Sequence, residues 1–349
     1  MIMSRRAARV GSVAAFTREC RSRVGLSSLW TTLALRRLWG MSPILLDDFG
    51  DPLLAVKKLQ EKEVSDSLAL VRPGPKQSWA HSACRRAKLE HVINDPKVTA
   101  IEADIMMGMD SRGRVVPVMA HPTRRGHLPE WDVTFEEFLE RCIADGRRHL
   151  KLDFKQLEAV EPCIKLVAKK LRWLRANGQN VYLNADILPG PNNRGQPGLP
   201  AHRFLPLCRK LCPQATLSLG WKCATVGLES GLTNQDVRDM LRVCKEYDVP
   251  GQSVVFCPSL RVASRSVPQL AQLLNELEGS QLLVWTGTGE LPLFQGVREQ
   301  LDLHFAQFGL QDRVGYDINV SQHATEFTAA FLALVAAVVY VIVKKAFRR

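Results

Sequence analysis

The sequence predicts an α/β fold, a (β/α)8 barrel of the TIM type, followed by a transmembrane helix near the C-terminus. Three observations support this: short runs of β-branched residues, stretches of helical periodicity between them, and one long uncharged segment after the last run. Strands that alternate with helices along a chain are parallel and joined by right-handed crossovers. Eight such strands within about 240 residues fit a closed barrel better than an open, doubly wound sheet.

The predicted strands are short segments rich in apolar and β-branched residues. No glycine-rich dinucleotide-binding or phosphate-binding loop motif follows any of them, which excludes the main nucleotide-binding α/β folds. The eight segments are residues 78–82, 100–107, 149–154, 181–187, 215–221, 253–258, 281–286 and 313–319.

Helical periodicity occupies most of the intervals between these strands. Thr134 and Glu137 form a capping-box pattern, which predicts that a helix begins there. The segment CIKLVAKKLRWLRANG ends at Gly178, a residue typical of the position after a helix. The segments NQDVRDMLRVCKEYD, VPQLAQLLNELEG and FQGVREQLDLHFAQFG repeat the pattern. After the second strand, GMDSRGR is typical of a turn and VVPVM of an extended arm, so a hairpin-like excursion to His121 is expected.

The formal net charge of +12 comes from the two ends of the chain. Residues 1–40 contain eight arginines and one acid, and the last six residues contain four basic side chains. Subtracting these from totals of 47 basic and 35 acidic residues leaves 35 basic and 34 acidic in residues 41–343. The folded part is therefore nearly neutral, and we expect no nucleic-acid partner.

The composition divides the chain into five segments. Residues 1–40 are a basic leader, residues 41–74 a linker, residues 75–322 the barrel, residues 327–343 a transmembrane helix and residues 344–349 a basic tail. The leader has the composition of a transit peptide. Two alternatives remain open: a secretory signal whose apolar core is residues 24–35, or an unstructured leader.

The segment FTAAFLALVAAVVYVIV, residues 327–343, contains no charged residue and is followed by KKAFRR. As a helix it spans roughly 25 Å, the short end of what a bilayer needs. The alternative is an additional core helix, but a barrel that is complete before it offers nothing to pack against. We therefore expect a single-pass membrane protein, in the mitochondrion or the secretory pathway.

The nine cysteines are an odd number and form no CxxC pair. This pattern favours reduced, buried cysteines. A disulfide framework is the alternative if the barrel faces a secretory lumen.

Polar residues at the ends of the predicted strands mark the candidate site, because barrels place function there. The first strand ends at His81. Glu102 and Asp104 lie two apart on the second strand and so share one face. Two such carboxylates repel each other unless a cation lies between them. His121 ends the excursion after the second strand.

The third and fourth strands continue the pattern. Lys151, Asp153 and Lys155 share one face of the third strand, and Asn184 and Asp186 share one face of the fourth. Buried charges of this kind need compensation, which a metal ion and a bound phosphate would supply together. Taken singly, each motif is more common in a solvated strand; their joint occurrence at consecutive strand ends favours a site.

These residues resemble the menorin family, within the superfamily of phospholipase C-like phosphodiesterases that includes glycerophosphodiester phosphodiesterases and spider-venom phospholipase D toxins. The resemblance covers about residues 79–319. It is carried by His81, IEADI, MAHP and KLDFK, with further matches in NADILPGPN, ATLSLGW, VWTGT and YDI.

The resemblance implies an enzyme with a Mg²⁺ or Ca²⁺ cofactor held by Glu102, Asp104 and Asp153. It implies that His81 and His121 form the general acid/base pair, and we assign Lys155 and Lys151 to phosphate binding. The expected activity is that of a membrane-anchored phosphodiesterase or phospholipase acting on a phospholipid or a glycerophosphodiester. The alternative is a non-catalytic barrel that serves as an adhesion or scaffold module.

The sequence departs from the family at two places. The family has a WYHAANS-like run around its first histidine, whereas this chain has WAHSAC, without the tyrosine and asparagine. After MAHP the family usually has a polar SDN-type segment, whereas this chain has the more basic TRRGHLPEWD. Arg124 and Arg125 there suit either a solvated loop or contact with an anionic headgroup.

Overall fold

The structure is a computed structural model that describes residues 77–123, 125–193, 198–223, 230–287 and 296–318. The predicted leader, linker, transmembrane helix and basic tail all lie outside these residues. Within the described part of the chain, no helix is both long and apolar enough to cross a bilayer.

The described strands form one sheet that curls into a nearly closed barrel. All neighbours along the order β1-β2-β4-β5-β6-β7-β8-β9 are parallel, and β9 lies beside β1. Strand β3 is the exception, because it pairs antiparallel with β2. The strands are β1 Trp79–Ala80, β2 Ala100–Met109, β3 Val115–Met119, β4 His149–Phe154, β5 Val181–Pro189, β6 Thr216–Lys222, β7 Val254–Cys257, β8 Gln281–Trp285 and β9 Val314–Asp317.

All eight predicted barrel strands are confirmed in position, and the predicted extended arm is β3. The first strand is shorter than expected, because the chain leaves β1 at Ala80 and turns towards the barrel axis at Ser82, where φ is 54°. The second strand is longer, because residues 105–109 pair with β3.

Helices cover the outside of the barrel. They are α1 Arg86–Asn94, α2 Phe135–Asp145, α3 Val160–Ala176, α4 Ala201–Leu211, α5 Asn234–Glu246, α6 Leu260–Ala263, α7 Val267–Glu276 and α8 Val297–Gln307. Single 3₁₀ turns occur at Leu157–Ala159, Gly251–Ser253 and Gln311–Arg313.

Local sequence signals explain where several helices begin and end. The Thr134–Glu137 capping box is present at the start of α2, and Thr233 with Asp236 forms another at the start of α5. Gly178 follows α3 with φ of 73°, a left-handed conformation that glycine adopts without strain. Helix α4 contains Pro206, which disfavours a helix interior. Its buried face of Phe204, Leu205 and Cys208 opposes that cost.

The main core lies between the outer face of the sheet and the helices, and it includes most buried apolar residues. A smaller cluster inside the barrel contains Trp79, Tyr182, Val255 and Leu283. This cluster fills the N-terminal end of the barrel. On strands β2 and β5, the interior positions two and four residues after the cluster residue carry polar side chains, and these lie at the C-terminal end. We call that end the mouth.

The β2–β3 hairpin projects beyond the barrel. Strand β4 pairs with β2 only as far as Ile105, whereas β2 continues to Met109, which pairs with Val115. Trp131 packs against the hairpin so closely that a Cβ on Gly108 would lie 2.9 Å from its Nε1 atom. A small cluster of Met106, Val118 and Ala120 supports the hairpin from within.

The described cysteines agree with the expectation of reduced, buried thiols. Eight are free, and all of these except Cys223 are buried.

Candidate active site

Strand register explains why the polar side chains converge at the mouth. Residues two apart on a strand point to the same face, so Glu102 and Asp104 follow Ala100 into the barrel interior. Glu102 lies opposite Lys151 and Asp104 opposite Asp153 on the neighbouring strand β4. On the next strands, Asn184 pairs with Asp153 and Ser218 with Asn184.

His81 follows β1 and is held by groups from three other strands. Its Nδ1 atom lies 3.2 Å from Glu102 Oε2 and 3.2 Å from Asp317 Oδ2. Its ring stacks on Trp285, with centroids 6.3 Å apart and planes 6° apart. Burial alone would lower the pKa of His81, but the carboxylates of Glu102 and Asp317 outweigh burial and raise the pKa to about 9.

The run after His81 fastens it to the second strand. Ser82 has a left-handed backbone, and its amide donates a 2.6 Å hydrogen bond to Glu102 Oε2. The Ser82 hydroxyl donates to Asp104 Oδ2 at 3.4 Å. The Cys84 thiol lies 3.4 Å from the same oxygen, and burial raises its pKa, so it remains a protonated donor. The serine and cysteine that depart from the family pattern therefore bind the carboxylates.

Glu102, Asp104 and Asp153 form the carboxylate cluster. One oxygen from each lies within 4.8 Å of the others. Burial raises the pKa of Glu102. Burial would raise the pKa of Asp104 as well, but Lys155 and the two histidines together outweigh it and lower the pKa of that carboxyl. Lys155 Nζ lies 3.0 Å from Asp104 Oδ1 and 2.7 Å from Asp153 Oδ2.

The carboxylate cluster fits a hard divalent cation. Oxygens on opposite sides of Mg²⁺ lie about 4.2 Å apart and those around Ca²⁺ up to about 5 Å, so carboxylate oxygens within 4.8 Å of one another are close enough to share one such ion. Glu102 Oε1 is buried and has no hydrogen-bond partner among the described residues. An unpaired buried carboxylate oxygen is costly, and a cation would compensate for it.

The charge balance of the mouth also favours a cation. Five carboxylates and two lysines lie there, so the acidic groups outnumber the basic ones. Burial raises the pKa of Asp186, one of the five, to about 6. The five acids are Glu102, Asp104, Asp153, Asp186 and Asp317, and the two lysines are Lys151 and Lys155.

A second group of possible ligands consists of His81, Glu102 and Asp317. Lys151 Nζ lies 3.6 Å from Asp317 Oδ2 and already supplies positive charge there. Burial would lower the pKa of Lys151, but Cys257, Asp317 and the other nearby acidic groups together outweigh burial and raise it. Each group therefore has a lysine beside it, Lys151 here and Lys155 at the carboxylate cluster, and each includes a buried carboxylate oxygen without a hydrogen-bond partner among the described residues.

His121 enters the mouth from the other side, after β3. It is exposed, and its Nδ1 atom lies 2.7 Å from the Pro122 carbonyl oxygen. The backbone bond from the Ala120 amide to the Asp104 carbonyl, 3.0 Å long, places this segment beside the carboxylate cluster. Both histidines line the same pocket, together with Asp104, Asp153 and Lys155.

The seven residues singled out from the sequence therefore lie together. Six of them line one pocket, and Glu102 lies directly behind His81 and Ser82. Their catalytic, metal-binding and phosphate-binding roles remain predictions. The six lining residues are His81, Asp104, His121, Lys151, Asp153 and Lys155.

Comparison with known proteins agrees with the motifs. The model of the menorin N-terminal domain matches residues 74–322. The human protein FAM151B is 31% identical over 248 residues, which cover 69% of this chain and 83% of that protein. The chain belongs to the menorin family. The resemblance inferred from the motifs is thus confirmed.

Solved structures give more distant likenesses. A glycerophosphodiester phosphodiesterase from Parabacteroides distasonis is 11% identical with a TM-score of 0.39, covering 74% of this chain and 99% of that one. A putative glycerophosphodiester phosphodiesterase from Galdieria sulphuraria is 12% identical with a TM-score of 0.41, covering 69% and 93%. These values are low, so the family membership depends on the sequence matches.

The structure adds site residues to which sequence reasoning assigned no role. Asp317 binds His81 from the last strand, Trp285 stacks on the histidine, and Ser82 binds Glu102. Trp285 and Asp317 lie in two of the segments that match the family, VWTGT and YDI, and an acidic residue at the end of a predicted barrel strand is also a candidate by position. A cavity of about 100 Å³ lies among these groups, several times the roughly 30 Å³ of a water molecule.

Proposed function

We propose that this chain is a membrane-anchored, divalent-metal-dependent phosphodiesterase of phospholipase type that acts on a phospholipid or a glycerophosphodiester. The observation that supports it is the arrangement at the mouth, where a buried carboxylate cluster lies between two histidines and two lysines. A phosphodiester is an anion, and it needs positive charge together with groups that exchange protons.

The two histidines are suited to proton exchange. Nδ1 of His81 is occupied by carboxylates and Nδ1 of His121 by a backbone carbonyl, so Nε2 is the atom of each ring that would exchange protons. In the proposed reaction, a substrate hydroxyl next to the phosphodiester attacks phosphorus. One imidazole takes the hydroxyl proton and the other protonates the leaving oxygen, giving a cyclic phosphate and an alcohol.

The lysines and carboxylates bind and orient the reacting group. Lys151 and Lys155 supply positive charge to the phosphate oxygens, and Asp317 orients His81. When bound by Glu102, Asp104 and Asp153, Mg²⁺ or Ca²⁺ would neutralise charge on the phosphate group.

The membrane anchor is residues 327–343. Their 17 uncharged residues followed by KKAFRR support a single span near the C-terminus, in a mitochondrial or secretory membrane. A span of this kind would hold the barrel at a bilayer, where a phospholipid substrate is concentrated.

The test is an assay of the full chain in detergent micelles against lysophosphatidylcholine and glycerophosphocholine. We expect turnover that EDTA abolishes and that added Mg²⁺ or Ca²⁺ restores. His81→Ala should remove it, whereas His91→Ala, which alters an exposed histidine of α1, should not. Turnover that is indifferent to EDTA and to His81→Ala would exclude this site as its source.

A non-catalytic scaffold is the second candidate, and one observation favours it. Lys155 already neutralises Asp104 and Asp153, so the cluster is partly compensated by the protein itself. Calorimetric titration of the EDTA-treated chain separates the two functions. Saturable binding of Mg²⁺ or Ca²⁺ that Glu102→Gln weakens supports the enzyme, and an absence of binding supports the scaffold.

A further inference from the structure

The β2–β3 hairpin ends in an exposed apolar pair beside the mouth. Met109 and Val115 face each other across the hairpin and are 63% and 65% exposed. Single exposed apolar residues are normal on a protein surface, but here two are direct cross-strand neighbours. We call residues 109–115 the hairpin tip.

The hairpin tip is a preformed structure. Asp110 accepts hydrogen bonds from the amides of Arg112 and Arg114 and pairs with the Arg114 guanidinium at 2.7 Å. Gly113 has a φ of 74°, as the turn requires. The exposed pair is therefore held by an ordered turn, so binding to a partner would cost little conformational entropy at the tip.

The hairpin tip projects from the mouth side of the barrel. Ile105 is the last residue of β2 that pairs with β4, and four further residues lead to Met109. At about 3.3 Å per residue, the tip extends roughly 13 Å beyond that last pair. Arg112, which is exposed at the tip itself, adds a basic side chain there.

The chain also leaves the barrel at the mouth. Strand β9 is parallel to its neighbours, so Asp317 lies at their C-terminal ends, and its contact with His81 locates it beside β1. Strand β1 in turn neighbours β2, from which the hairpin rises. His81 thus lies between the base of the hairpin and the place where the chain departs.

The length of the following chain limits the orientation of the barrel. Eight residues separate Ile318 from Phe327, where the proposed span begins. Fully extended, eight residues reach at most about 30 Å. The mouth must therefore lie near the membrane that holds the span, with the hairpin tip on the same side.

We infer that the mouth faces the bilayer and that the hairpin tip inserts Met109 and Val115 among the lipid headgroups. Apolar side chains flanked by arginine are typical of contacts at an anionic membrane interface. Tethering through the span raises the local concentration of bilayer to the millimolar range, so a small contact suffices. This inference rests on the proposed membrane anchor, and it would deliver a lipid headgroup to His81 from the side.

The test places a photo-crosslinking amino acid at Val115 or, as a matched control, at Leu303. Leu303 is 66% exposed but lies on helix α8. Each full-length variant is reconstituted in vesicles of phosphatidylcholine and phosphatidylserine and irradiated. Mass spectrometry then quantifies protein–lipid adducts, and alkaline carbonate extraction tests whether the chain is embedded.

We expect several-fold more lipid adduct at position 115 than at position 303, in a chain that resists carbonate extraction. An embedded chain with equal or no adduct at position 115 overturns the orientation and leaves the anchor standing. An extractable chain without adducts overturns both. Chain-to-chain adducts at position 115 would show that the tip contacts a second copy instead, which also overturns the inference. None of these readouts depends on catalysis.

Discussion

His81 is buried between two carboxylates and an indole ring, whereas His121 is exposed and makes one hydrogen bond to its own neighbour's carbonyl among the described contacts. The two rings line the same pocket. Their sequence contexts explain the difference. His81 follows a short strand inside the barrel, and His121 follows the antiparallel arm that returns from outside it.

The difference shows that His81 contributes to the packing of the barrel interior, whereas His121 lies at the surface and contributes little to it. Removal of His81 takes one partner from each of two buried carboxylates and leaves Glu102 with the Ser82 amide and Asp317 with Lys151. Removal of His121 leaves only a backbone carbonyl at the surface. Equal catalytic importance would therefore come with unequal structural importance.

Alanine substitutions at the two histidines should have the largest effects. We expect each to lower kcat by roughly 10²- to 10⁴-fold, the range typical of a general acid or base. His81→Ala should also lower the free energy of unfolding by about 3 kcal/mol, because it breaks a buried charge pair. His121→Ala should stay within about 0.5 kcal/mol of the wild type. Steady-state kinetics and urea unfolding check both, and equal stability losses would contradict the comparison.

Asp317→Asn tests whether His81 is oriented from the last strand. The amide preserves the shape of the side chain but removes the charge that pairs with Nδ1 of His81. We expect kcat to fall by roughly 10- to 100-fold, the size of effect that loss of an orienting partner has at other sites. The pKa of His81, followed by NMR in the metal-free chain, should also fall, because one of the two carboxylates that raise it is gone. An unchanged His81 pKa would show that Asp317 does not orient the ring.

The fold was largely predictable because its signals are local. Runs of β-branched residues and helix caps each involve only a few consecutive residues, so they can be recognised without knowledge of the tertiary structure. They predict the eight barrel strands and the helix after Thr134 correctly. Helix α4 was not predicted, because Pro206 opposes a helix locally and only tertiary burial of Phe204 and Leu205 favours it.

The site was predictable where two or more of its residues lie close together in the sequence on one strand. Glu102 with Asp104, and Lys151 with Asp153 and Lys155, are pairs on single strands whose shared face follows from the strand period. Asp317 has no such partner on its own strand. Its partner is His81, 236 residues away, which it meets only because β9 lies beside β1.

The stability of the metal-free chain should depend on pH through His81. Its pKa rises from 6.5 to about 9 on folding, so the protonated ring stabilises the folded state. That contribution is fully present below pH 6.5 and is lost as the pH rises through 9. The difference in free energy of unfolding between the wild type and His81→Asn should therefore shrink from pH 6 to pH 9.5, as urea titrations in EDTA would show.

Substitutions at Ser82 should have the smallest effects and would show how the backbone supports His81. A residue with a Cβ loses about 1 kcal/mol of stability when it adopts the φ of 54° found here. Glycine avoids this strain, but it loses a similar amount through the greater backbone entropy of its unfolded state. Ser82→Gly should thus be nearly neutral in urea unfolding. Ser82→Ala removes the hydroxyl contacts with Asp104 and Cys84, whereas Ser82→Val adds a β-branched side chain that left-handed backbone accommodates poorly. All three keep the amide that donates to Glu102. We expect the free energy of unfolding to decrease in the order glycine, alanine, valine. A valine variant as stable as the glycine variant would mean that the backbone of residue 82, next to His81, is not held in the left-handed region.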